Sequence, residues 1–282
     1  MRTASLVALW CLVVSVAPLL SACEQFERNA HANGLAAPAG MRREQIVTAN
    51  FVLTAWSRIG RSNQQIDVYI EGDGLAWLSR SEPSLDPTPR EATGLALAVA
   101  DPAPNVVYLA RPCQFTPMAL NPRCGVPYWT GRRFAAEVVT SMNEAIDQIA
   151  VRAPGQRINL VGYSGGAAIA ILIAARRRDV ESIRTVAGNL DDEYINRLHG
   201  VSRMPDSENP IDVATGVASI PQVHFSGADD EVVPPEVARR FVRAVGGRCS
   251  RVQTVPGATH GGDWSHQWPA LLAITPGCGG GR

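Results

Sequence analysis

Three short stretches of the 282-residue sequence hold residue types fit for acyl-group chemistry: Gly162-Tyr-Ser164-Gly-Gly166, Gly227-Ala-Asp229-Asp230-Glu-Val-Val-Pro234 and Ala258-Thr-His260-Gly261. A serine hydroxyl is a poor nucleophile near neutral pH. It needs an imidazole to take its proton and a carboxylate to orient that imidazole, and the chain offers serine, acid and histidine in that order. Gly162 and Gly166 would relieve crowding in a tight turn so that the Ser164 hydroxyl stands clear, and the N–H of Gly165, opening the next helix, could stabilise an oxyanion. Each stretch also has a plain structural meaning: a polar glycine turn, a solvated acidic loop, a surface histidine.

Such groups converge where strands of a covered sheet end at their carboxyl termini, and the flanking residues predict that setting. A β-branched and aromatic run over 45–59 reads as one or two antiparallel strands, and 66–74 as a strand ending in glycines. A proline- and serine-rich loop over 79–94 leads to a short helix at 92–100 and a strand at 105–112. Over 131–153, Phe134, Val138, Met142, Ala145, Ile146 and Ile149 form one stripe at helical spacing. Strand 157–162, helix 166–178 and strand 183–188 follow. The segment 189–220, with Pro205 and Pro210, reads as irregular and part of a lid. Strand 221–227, helix 235–246, strand 249–257 and helix 266–274 close the pattern. Strands alternating with helices imply a mostly parallel sheet covered on both faces.

With these motifs in order, the chain from about 48 to 274 resembles the α/β-hydrolase fold, an α/β architecture of about eight mostly parallel strands with helices on both faces. The resemblance maps the nucleophile to Ser164 and the histidine to His260. It places the acid three residues after the strand-closing glycine, which picks Asp230 over Asp229 and leaves Asp191 and Asp192 in reserve. It implies a second oxyanion donor after the third strand, where "IEGDGLAW" carries Glu71 in place of the usual histidine; the N–H of Asp73 is the expected donor, with Gly74 second. A carboxylate beside an oxyanion is repulsive, so the Asp73 side chain should point away or be paired. The implied activity is a serine hydrolase acting on a small-molecule carboxylic ester through an acyl-enzyme, with no metal or organic cofactor. An amidase or thioesterase with the same residues, and a non-catalytic binding scaffold, are the alternatives.

Acidic and basic residues balance at 26 each, which gives no field for nucleic acid or an anionic membrane. Arg2 followed by the apolar run Leu6 to Leu20 reads as a secretory signal. Leu-Ser-Ala-Cys at 20–23 resembles the lipobox of bacterial lipoproteins, which implies a signal over 1–22, lipidation of Cys23, a flexible tether over 23–44 and the hydrolase domain over 45–282. With Glu24 after the cysteine, the same resemblance implies a periplasm-facing outer-membrane anchor, the lipid being the only membrane contact. Cys113, Cys124, Cys249 and Cys278 allow three pairings; Cys113 with Cys124 and Cys249 with Cys278, each within one local segment, is favoured. His31, His199, His224 and His266 fall in the tether, an irregular segment, a strand and a helix entry. Tyr163, Trp77, Trp129 and Trp264 either line an aromatic pocket or pack the core and rim.

Overall fold

Apolar side chains alternating along each strand build two cores, one on each face of a sheet. In Asn105–Leu109, Val107 and Leu109 enter one core while Val106 and Tyr108 enter the other, as the two-residue period of a strand requires. The structure is a computed structural model describing residues 25–279. The signal run, the lipobox and Cys23 lie outside the described residues.

The strands are β1 (Arg42–Val47), β2 (Val52–Ile59), β3 (Ile66–Ile70), β4 (Asn105–Leu109), β5 (Ile158–Tyr163), β6 (Val180–Val186), β7 (Gln222–Gly227) and β8 (Ser250–Val255). They form one eight-stranded sheet in the order β1-β2-β4-β3-β5-β6-β7-β8. Pairing is parallel from β4 through β8, and β2 is antiparallel to both its neighbours. The carboxyl ends of β3, β5, β7 and β8 therefore share one edge.

The helices are α1 (25–36), α2 (Thr93–Val99), α3 (Ala136–Ala150), α4 (Gly165–Ala174), α5 (Asp192–His199), α6 (Pro235–Val245) and α7 (Trp264–Leu272). Residues of α3, α4 and α6 belong to one core; those of α1, α2 and α7 belong to the other. All six residues of the stripe expected over 131–153 are buried, although α3 starts only at Ala136 because Gly131 to Phe134 form turns and Ala135 is its N-cap. Helix α4 is buried on every side, which its run of alanine, isoleucine and glycine permits.

Two expectations are corrected. Residues 25–36 are a docked helix rather than a flexible tether: Ala32 and Ala36, one turn apart, are fully buried, Trp56 Nε1 donates to Asn33 Oδ1 at 3.0 Å, and Arg28 donates to the Thr88 carbonyl at 3.0 Å. The segment 189–220 is also more regular than expected. It carries α5, whose first turn is capped by the Asp191 carboxylate accepting from Tyr194 N, and a 3-10 run over Pro210–Val217. Both favoured disulfides, Cys113–Cys124 and Cys249–Cys278, are formed.

Candidate active site

The turn from β5 into α4 puts Ser164 at φ 50°, ψ −119°, a left-handed conformation that costs a non-glycine residue of the order of 1–3 kcal/mol and persists only where packing enforces it. The expected crowding is real: a Cβ on Gly162 would stand 2.4 Å from Ala167 Cα, and one on Gly166 would stand 2.2 Å from the Ile70 carbonyl oxygen. Only glycine lets β5, α4 and the end of β3 approach so closely.

The structure joins the three sequence-predicted residues. His260 Nδ1–H donates to Asp230 Oδ2 at 2.9 Å, which leaves the Nε2 lone pair to accept from the Ser164 hydroxyl at 3.0 Å. Asp230 is fully buried at its side chain while His260 retains 18% exposure. The other Asp230 oxygen accepts from Val232 N at 2.9 Å and Val233 N at 2.7 Å. Asp230 is thereby held as an acceptor toward the imidazole. Asp229, one residue earlier, is exposed.

The reserve acids serve elsewhere. Asp191 caps α5 and pairs with Arg240 Nε at 2.8 Å. Asp192 is buried, with neither carboxylate oxygen in a well-formed hydrogen bond, and burial, the largest cause, pushes it up to about 7. The remaining histidines stand apart from Ser164. His224 lies fully buried between Thr185 and Ser250, where burial drives it down to about 3, and His199 accompanies the Val232 carbonyl.

After β3, the loop over 71–74 is pinned by groups the motifs did not disclose. Glu71, buried at the strand end, accepts from Gly72 N at 2.9 Å, Gly94 N at 3.1 Å and Tyr108 Oη at 2.9 Å. Burial raises its pKa against the pull of those donors. Gln114 Nε2 donates to the Gly72 carbonyl at 3.0 Å. Gly72 N–H is thus spent on Glu71, while no acceptor among the described residues takes the N–H of Asp73 or of Gly165. The Asp73 carboxylate is paired, as expected, by Arg111 at 3.3 Å and Arg133 at 3.4 Å. It does not point away: it lies against Gly165. A carboxylate inside the apolar strand end "YIEGDG" was the sequence signal for Glu71; nothing in the spacing pointed to Arg111, Arg133 or Gln114.

The aromatic residues brace this edge more than they line it. Trp264 and Trp129 are buried, Trp264 donating to the Thr259 and His260 carbonyls at 3.1 Å and Trp129 to the Ser84 carbonyl at 3.0 Å. Tyr163 donates to the His260 carbonyl at 3.0 Å. Trp77 is half exposed at the rim.

Compared by sequence, the chain matches no family model and no curated protein. Compared by structure, it resembles the acylaminoacyl peptidase of Pyrococcus horikoshii with a TM-score of 0.59 at 10% identity over 83% of this chain. This chain spans 40% of that peptidase's length. Est1E from Butyrivibrio proteoclasticus matches with a TM-score of 0.55 at 16% identity, over 82% of this chain and 94% of Est1E. A membrane phospholipase A, described as a bacterial virulence factor, matches with a TM-score of 0.53 at 14% identity over 96% of this chain and 98% of its own. The chain has the α/β-hydrolase fold. Within this hydrolase fold, Ser164, Asp230 and His260 follow β5, β7 and β8, and the loop after β3 brings Asp73 to the same edge with Glu71 as its anchor.

Proposed function

We propose that the chain is an exported, lipid-anchored serine hydrolase that cleaves a carboxylic ester. The hydrogen-bonded series Ser164–His260–Asp230 on a left-handed turn carries this reading. Ser164 Oγ attacks the ester carbonyl as His260 Nε2 takes its proton, and Asp230 holds the imidazole tautomer and stabilises the imidazolium. The N–H groups of Gly165 and Asp73 receive the oxyanion. His260 then returns the proton to the departing alcohol, and a water activated by the same imidazole releases the acid and regenerates Ser164. Esterases and a phospholipase among the structural neighbours agree with an ester substrate, and peptidases keep amides open.

One observation favours the scaffold alternative: the Asp73 carboxylate lies against Gly165, close to where negative charge would develop. Labelling decides. Wild-type protein should react with a fluorophosphonate probe and turn over short-chain nitrophenyl esters, and Ser164→Ala should do neither; labelling that survives the substitution removes Ser164 from the reaction, and an unlabelled wild type supports the scaffold. The anchor is tested separately by globomycin-sensitive processing and metabolic lipid labelling at Cys23, expected to vanish in Cys23→Ala.

A further inference from the structure

Arg111 and Arg133 take no part in the serine relay, yet both are drawn into its immediate surroundings. Their side chains are 4% and 14% exposed, and each guanidinium lies 5.2 Å from the centroid of the Phe134 ring. Both converge on the Asp73 carboxylate, which itself lies against Gly165 at the first turn of α4. Their contacts of 3.3 and 3.4 Å are longer than the roughly 2.7–2.9 Å of a well-made guanidinium–carboxylate fork. The Nε–H of Arg111 is buried without a hydrogen-bond partner, and that of Arg133 faces Asp73 Oδ2 at 3.4 Å without a well-formed hydrogen bond, while a second arm of Arg111 is spent on the Arg133 carbonyl. Two largely buried cations thus share one ill-fitting anion beside the candidate nucleophile, and Arg111 keeps an unused donor.

The charge balance points the same way. Asp192 is the next acid in the cluster, and it acts on both arginines. Burial first, then Asp73 and Asp191, push it up to about 7 against the pull of Arg133 and a weak donor in Asn189. Near neutral pH it carries only part of a charge. The guanidiniums therefore face the Asp73 carboxylate and only a fractional charge on Asp192, and a buried charge without full compensation favours binding an opposite one.

We propose that Arg111 and Arg133 form an anion-binding subsite beside Ser164, so that the favoured acyl group carries its own carboxylate, as in a half-ester of a short dicarboxylic acid. This rests on the serine-hydrolase reading of the site. The substrate carboxylate replaces the Asp73 side chain between the guanidiniums, and Asp73 swings off Gly165. Glu71 and Gln114 keep the loop backbone in place meanwhile. One event thus fills the subsite and removes a negative charge from where the oxyanion forms. A neutral ester leaves that charge in place, so discrimination falls on kcat as well as on KM.

The test compares mono-(p-nitrophenyl) glutarate with p-nitrophenyl pentanoate. Wild-type protein should favour the anionic ester in kcat/KM by about tenfold or more at low salt, and the preference should shrink as salt is added. Arg133→Gln should erase most of it. Equal turnover of the two esters, or a preference that survives Arg133→Gln, overturns the proposal. Calorimetry of glutarate and of its neutral diamide, glutaramide, binding to Ser164→Ala protein reads the subsite without catalysis. Glutarate should bind more tightly, in a salt-sensitive way, even if neither ester is hydrolysed and the serine-hydrolase reading fails; absence of that difference overturns the subsite whatever the activity. If Arg133→Gln does not fold, the salt dependence of the two binding constants decides alone.

Discussion

The Asp73 carboxylate fills the space into which a side chain on Gly165 would extend: a Cβ built there would stand 2.1 Å from Asp73 Oδ1 and 2.6 Å from its Cγ. Gly165 is thus required by its neighbour's side chain as well as by the turn. Gly165→Ala should displace Asp73 and the loop behind it, lowering kcat by about 10² or more, the scale of losing one oxyanion donor. Adding Asp73→Ala should recover part of that loss, because the collision then disappears. Steady-state kinetics of the single and double variants check it; a silent Gly165→Ala removes the contact from consideration.

Asp230 orients His260 with one oxygen and is fixed by two backbone N–H groups with the other. Asp230→Asn keeps an acceptor for Val232 and Val233 but presents an amide to His260 Nδ1, which favours the wrong tautomer. A loss in kcat on the order of 10⁴ is expected, with little change in KM. Asp191→Ala removes the α5 cap and should instead cost about 1 kcal/mol of stability, read by denaturant unfolding.

The Cys113–Cys124 bridge spans 11 residues, and closing such a loop contributes about 3 kcal/mol by the chain-entropy relation. The bridged segment includes Gln114, which holds the Gly72 carbonyl. Replacing both cysteines by serine should lower the unfolding midpoint accordingly and reduce kcat through the loosened loop. Intact kcat in the destabilised variant would separate the bridge from the loop after β3.

On the opposite edge of the sheet, Asp67 is raised to about 6, first by burial and then by Asp101, with the Asn159 hydrogen bond and Arg184 opposing. A carboxyl that binds its proton more tightly when folded loses stability as pH rises from its unfolded value near 4 to about 6, and the loss is complete above that window. Asp67→Asn still accepts from Asn159, so the variant should be more stable than wild type at pH 7 by up to about 3 kcal/mol. The gap should close toward pH 4. Urea unfolding across that range measures it; a gap independent of pH would exclude titration of Asp67 as its cause.

Much of the hydrolase fold was legible because its signals are local. The β5 turn is written in Gly162, Ser164 and Gly166, and the stripe from Phe134 to Ile149 fixes the buried face of α3. That Asp230, rather than Asp191 or Asp192, stands beside His260 was legible too, since an acid after β7 is held at the same sheet edge as a histidine after β8. The tether expectation failed because Ala32 and Ala36 form too weak an apolar stripe to announce a helix. They need the prepared surface around Trp56 to bury them.

The sequence by itself determined the mostly parallel sheet and the order of serine, acid and histidine along it, because these follow from periodicity and turn chemistry; it favoured the local disulfide pairs by their short chain separation, and the structure chose them among the three pairings. Only the tertiary structure decided what surrounds the serine. Asp73, Arg111, Arg133 and Asp192 come from four separate segments, and their mutual charge effects exist only once the sheet and its flanking helices bring them together and exclude water.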